Sequence, residues 1–255
     1  MNGLELPKSK LGEITAITIT SPDLDKSFAY WQKLGFSEVM QSDFPFPWIQ
    51  ISDGALLIML RKDDEPYQAL TYYVKDIDTV VAELESIGIE FIQKPKSSDF
   101  VKKYLMQSPD GMNISLINIM EGFQQPPGPT MLTMPQQDWM NPEKYVNKTC
   151  GLLGEFAEPV ADLEVSILFW EKLGFKALSK YASPAPWAIL SDGLAVVGLH
   201  QTKDFTQPII TFFAKDMKEK IEKLKENGLD NFAIHSPGNI VLTTPEQQKI
   251  NLFSF

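Results

Sequence analysis

Arginine, histidine and cysteine are nearly missing from this chain of 255 residues: it has one arginine, Arg61, one cysteine, Cys150, and two histidines, His200 and His235. A single cysteine excludes any intramolecular disulfide and fits a reducing cytoplasm, the expected location. Two histidines leave little imidazole for a metal centre. Basic charge is also short, with 23 Lys and Arg against 33 Asp and Glu, a net of −10. Residues 1–125 hold 11 basic and 18 acidic side chains, and the rest hold 12 and 15. Neither half offers the basic footprint that a phosphate backbone or an anionic bilayer needs, so neither nucleic acid nor membrane is an expected partner. No apolar run approaches the roughly 20 residues that cross a bilayer. Met1 to Leu11 lacks the apolar core of a secretory signal. Dinucleotide, P-loop, H-E-x-x-H and C-x-x-C motifs are all missing.

What is present is a globular composition, 44% apolar and 22% charged, with enough length for one large or two modest domains. An internal repeat decides between them. Asp23 to Gly54 and Asp162 to Gly193 align without a gap at an offset of 139, and 14 of the 32 positions are identical. Trp31, Gly35, Phe36, Pro45, Pro47, Trp48 and the Ser52-Asp53-Gly54 turn all recur. The repeat continues more loosely, with Pro109-Asp110 against Pro245-Glu246. Two modules follow, 11–121 and 151–255. Between them, 122–150 contains Pro126, Pro127, Pro129, Pro135 and Pro142. Those prolines exclude a long helix and a central strand, leaving an extended linker with a short helix begun at Asn141-Pro142.

Module 1 alternates its periods in order. Ile14 to Thr20 alternates with period two, as a half-buried strand does. Asp23 then caps a helix carrying Leu24, Phe28, Trp31 and Leu34 and ended by Gly35. Trp48 to Ile51 and Ala55 to Arg61 are strands about the Ser52-Asp53-Gly54 turn. Ala69 to Val74 is a strand, and Asp76 caps a second helix ended by Gly88. Tyr104 to Gln107 and Asn113 to Ile119 close the module across Pro109-Asp110-Gly111. Module 2 repeats this plan. Its helix at 215–226 alternates charge and reads as a solvated face, and His235 reads as a solvated loop residue.

This order, with D-L-x-x-S-x-x-[YF]-W-x-K-L-G-F after the first strand and P-D-G before the last, resembles the glyoxalase, bleomycin-resistance and extradiol dioxygenase superfamily, also called the vicinal-oxygen-chelate fold. The resemblance implies an α+β fold of two tandem βαβββ-type modules whose curved mixed sheets form cup-shaped cavities. It also implies a divalent metal in the enzymes, held at four positions. In module 1 these positions are Ala16, Met59, Ala69 and Ser115; in module 2 they are Glu155, Gly198, Ile209 and Asn251. Module 1 thus offers no competent ligand for a hard or borderline cation. In module 2, strand parity turns His200 to the face of Gly198, so Glu155, His200 and Asn251 are the set that would rebuild a site.

Function is read accordingly. The first expectation is a protein that binds a small hydrophobic or aromatic molecule in a cup, with no cofactor. Expected contacts are Trp48, Met59, Arg61, Tyr73 and Ser115 in module 1, with Trp187, His200, Phe213 and Asn251 in module 2. The recurring Trp48 and Trp187 would stack a planar ligand, and the lone guanidinium of Arg61 would anchor an anion. Glu155 is the candidate catalytic residue, because a desolvated carboxylate has a raised pKa and serves as a base. The alternatives are a divalent-metal lyase, isomerase or dioxygenase working in module 2, and a degenerate non-catalytic paralogue. The expected assembly is a monomer of two fused modules or a homodimer.

Overall fold

The structure, a computed structural model, describes residues 6–236 and 238–254. Module 1 runs β1 Ile14–Ser21, α1 Leu24–Lys33, β2 Ser37–Ser42, β3 Trp48–Ser52, β4 Leu57–Lys62, β5 Gln68–Val74, α2 Ile77–Ser86, β6 Lys103–Gln107 and β7 Asn113–Asn118. The linker holds only two single 3-10 turns, Gln136–Asp138 and Pro142–Lys144, and Asn141 caps the second by accepting from Glu143 N. Module 2 runs β8 Leu152–Pro159, α3 Leu163–Lys172, β9 Lys176–Tyr181, β10 Trp187–Ser191, β11 Val196–His200, β12 Ile209–Ala214, α4 Met217–Glu226, β13 Phe232–Ser236, β14 Asn239–Thr243 and β15 Lys249–Ser254.

The two sheets carry the repeat into three dimensions. Sheet one has the order β2-β3-β4-β1-β5-β7-β6. Sheet two, read in the same sense, is β9-β10-β11-β8-β12-β15-β14-β13, the same order with one extra edge strand. Both are mixed and open. β5 pairs with β7 in parallel, as β12 does with β15, while β3–β4 and β10–β11 are antiparallel hairpins. The capping chemistry works as the sequence implies. Asp23 accepts from Lys26 N and Asp76 from Thr79 N, and Gly35 and Gly88 end their helices with φ of 88° and 82°, a conformation open to glycine at little cost.

Four expectations need correction. β1 is buried on both faces rather than half-buried, because it lies between β4 and β5 in mid-sheet. β2 and β9 have no counterpart in the sequence reading, since both are polar edge strands without alternation. His235 lies on β13, exposed, and not in a loop. The face of α4 is not wholly solvated: Lys220 is 5% exposed, donates to Lys148 O at 2.6 Å, and sits 3.4 Å from Asp216 and over the Tyr145 ring.

Chain packing does not follow the repeat. One compact unit comprises 1–17, 68–125 and 156–208; the other comprises 18–67, 126–155 and 209–255. Each unit therefore takes about half its chain from each module. Two turns make the exchange within their units. Asp110 of module 1 accepts from Ser166 Oγ at 2.6 Å and from Ala161 N at 2.7 Å. Glu246 of module 2 accepts from Ser27 Oγ at 2.7 Å and Trp31 Nε1 at 2.6 Å. Ser27 and Ser166 are equivalent in the repeat, as are Asp110 and Glu246.

Candidate functional site

Sheet register separates the two faces of each sheet. On β8, Glu158 accepts from Trp170 Nε1 of α3 at 3.1 Å, so its face is the one turned to the helix. Ala157, paired with Gly198, and Pro159, paired with His200, lie on the other face, as does Glu155 by parity. Trp187 pairs with His200 and Ile189 with Gly198, so they share that second face. In sheet one, Trp48 pairs with Arg61 and Gln50 with Met59, whereas Ile49, Ile51, Ile58 and Leu60 form the opposite, wholly apolar face. Offset by 139, Gln50 corresponds to Ile189 and Arg61 to His200, so the helix-averse face of β3–β4 is that of Trp48, Gln50, Met59 and Arg61.

Each candidate residue has a definite setting. Trp48 and Met59 are buried. Arg61 is tied to Asp63 at 2.9 Å, with its guanidinium 5.3 Å from the Phe46 centroid and 5.4 Å from that of Tyr67. The expected anion anchor thus already has a carboxylate beside it and lies between rings. Tyr73 is buried edge-on to Phe123 of the linker, 4.7 Å between centroids; burial pushes its phenol well up. Ser115 is buried and shares a 2.8 Å hydrogen bond with Thr71, its register partner on β5. Trp187 stacks on Tyr181 at 4.2 Å and on His200 at 5.6 Å, and Phe205 meets His200 edge-on at 5.8 Å. Trp187 therefore offers its faces to neighbours within its own module. Phe213 stands edge-on to Phe253 at 5.5 Å and covers Gly154, where a Cβ would come within 1.8 Å of its ring. Asn251 pairs with Thr211 and Val241. Glu155 is 5% exposed.

The donor sets for a metal differ between modules. In module 1, Ala16, Met59 and Ala69 supply no hard ligand, and the Ser115 hydroxyl is engaged with Thr71, so these residues do not fit a cation. In module 2 the His200 register partner is Pro159, four positions along β8 from Glu155, about 13 Å of strand. Asn251 lies in register with Thr211 on β12. Among the described residues no three His, Cys, Asp or Glu side chains group so as to hold a metal ion.

Three buried polar groups escaped the sequence reading. Glu158 is 1% exposed, takes hydrogen bonds from Ser108 Oγ and Trp170 Nε1, and burial pushes its carboxyl up to about 7. Asn147 of the linker donates to Leu34 O at 3.1 Å and Asp53 Oδ2 at 3.0 Å while accepting from Thr149 N and Cys150 N. Gln50 has both polar atoms of its amide buried without a hydrogen-bond partner. A signal existed for Glu158: it falls on the helix-facing parity of a strand whose other members there are apolar. Cys150 is buried with its thiol donating to Leu34 O at 3.4 Å, and burial pushes its pKa well up, the opposite of an activated nucleophile.

Two open mixed sheets of repeated plan, each with helices on one face and a second face of mixed polarity, define an α+β protein of paired glyoxalase-like modules. Residues 13–116 match the model of the Glyoxalase/Bleomycin resistance protein/Dioxygenase superfamily, so module 1 belongs to that superfamily; the internal repeat extends its plan to module 2. Among solved structures, homoprotocatechuate 2,3-dioxygenase from Arthrobacter globiformis is 14% identical with a TM-score of 0.63, covering 100% of this chain and 84% of that one. The 2,3-dioxygenase LapB from Pseudomonas sp. KL28 is 14% identical with a TM-score of 0.61, covering 98% and 94%. At such identities the likeness is one of fold. No curated protein matches the chain.

Proposed function

We propose that this protein binds a small apolar or aromatic molecule on the face of a sheet turned away from its helices, without a metal. One observation carries the reading: at the four positions where the resemblance implies metal ligands, module 1 has Ala16, Met59, Ala69 and Ser115, and the last gives its hydroxyl to Thr71. Apolar and hydroxyl groups at those places suit a pocket better than a chelate. Thermal-shift screening with small aromatic compounds tests it, since a ligand that binds only the folded state at 100 times its dissociation constant adds about 2.7 kcal/mol. Trp48→Ala should weaken a true hit by about 2–10-fold, the worth of one aromatic contact; no change removes the stacking role, and Trp187, stacked on Tyr181 and His200, is not expected to contribute.

A second reading draws support from the fold likeness to extradiol dioxygenases. It is a divalent-metal lyase, isomerase or dioxygenase in module 2, with Glu155, His200 and Asn251 as ligands or Glu155 as base. Elemental analysis of protein purified without chelator separates the two. A stoichiometric ion lost in Glu155→Ala or His200→Ala favours the enzyme; no uptake at saturating manganese, iron, nickel or zinc favours the binding protein. A cytoplasmic location rests on the lone, buried Cys150. Sedimentation decides between monomer and homodimer.

A further inference from the structure

Gln50 is the most anomalous side chain of β3. It is 0% exposed, and neither its amide nitrogen nor its carbonyl oxygen has a hydrogen-bond partner. A buried primary amide holds two donors and an acceptor, and leaving all of them unmade is costly. The fold does not demand a polar group there, because the same position of module 2 is Ile189, buried and apolar. Its neighbours on the face fit a flat apolar body. Met59 lies directly opposite in register, and the Trp48–Arg61 pair comes next along the hairpin. Arg61 Nε is likewise buried without a partner, although its Nη2 holds Asp63. Met59 is unbranched and adaptable, which suits a side chain that must yield to an entering molecule.

We propose that Gln50 is the recognition group of the module 1 cup, and that the molecule it takes is a planar heterocycle with a lactam edge. This rests on the small-molecule reading above and names the chemical class. A cis-amide presents N–H and C=O side by side. The N–H donates to Gln50 Oε1 and the C=O accepts from Gln50 Nε2, so both orphaned atoms are satisfied at once. The ring lies over Met59 and Trp48, and an oxygen about 7–8 Å from the lactam, the diagonal spacing of a hairpin face, accepts from Arg61 Nε.

The test uses the full chain and three probes: quinolin-2(1H)-one, its N-methyl derivative and naphthalene. Calorimetric titration should show quinolin-2(1H)-one binding at least about tenfold more tightly than the N-methyl form, which has lost the donor. Gln50→Leu should abolish that preference while keeping or improving the affinity for naphthalene, and should raise Tm, so a failure to fold cannot mimic the result. Naphthalene binding with no preference for the lactam overturns this inference and leaves the small-molecule reading standing. A preference that survives Gln50→Leu overturns it too. If none of the three binds, both fall.

Discussion

Burial pushes the Glu158 carboxyl up to about 7 against the pull of Ser108 and Trp170, whose hydrogen bonds favour the ionised form. A raised acid is protonated in the fold at a pH where the unfolded chain has already ionised it. Its contribution is therefore full below the ordinary glutamate pKa and is lost as pH rises through about 7, a loss of about 3 kcal/mol. Urea unfolding at about pH 5 and about pH 8 should show this decline in the wild type and little of it in Glu158→Gln; equal slopes in the two would contradict the assignment. Gln50→Leu should stabilise the protein by about 1–2 kcal/mol, because an unmade amide gives way to an apolar group of similar size. Residues such as these were only half legible in the sequence. Parity put His200 on the face of Gly198, since alternation is local. Partners were not legible, because Glu158 meets Ser108 and Trp170 only once distant segments pack.

At the scale of elements, α1 and α3 place equivalent indoles, and the two are satisfied differently. Trp170 finds Glu158 on its own module's first strand. The corresponding residue of β1 is Ile19, which accepts nothing, so Trp31 takes Glu246 from the turn before β15. The longer Glu246 reaches both Ser27 and Trp31, where the shorter Asp110 serves Ser166. Glu246→Ala should thus cost about 2–3 kcal/mol in denaturant unfolding, with Glu246→Gln recovering part of it by retaining an acceptor. A loss of a few tenths would show the contact to be incidental. Helices with their caps and glycine stops, the hairpins and β5 were legible because their signals are local. β2 and β9 were not, since Ser-Glu-Val-Met-Gln-Ser and Lys-Ala-Leu-Ser-Lys-Tyr at sheet edges have no buried face to impose a pattern. The segment 122–150 holds two 3-10 turns, and Asn147, which ties it to Leu34 and Asp53, gave no signal in the sequence.

For the whole molecule, the repeat and the packing divide the chain differently. The sequence reading divides the chain into modules 11–121 and 151–255, while each compact unit draws segments from both. Cutting the linker leaves both units incomplete. Either module expressed alone should lack a cooperative thermal transition, and the two co-expressed should regain one; a module that melts cooperatively by itself would contradict the exchange. A net charge of −10 spread over both halves gives neither half the basic footprint that a phosphate backbone requires. The most direct test of metal-free binding is the dissociation constant of a non-chelating aromatic probe, naphthalene, measured on the full chain with and without excess EDTA. The predicted result is saturable binding with the same constant in both. Binding that vanishes in EDTA and returns with one equivalent of a divalent cation, or no binding at all, would contradict it.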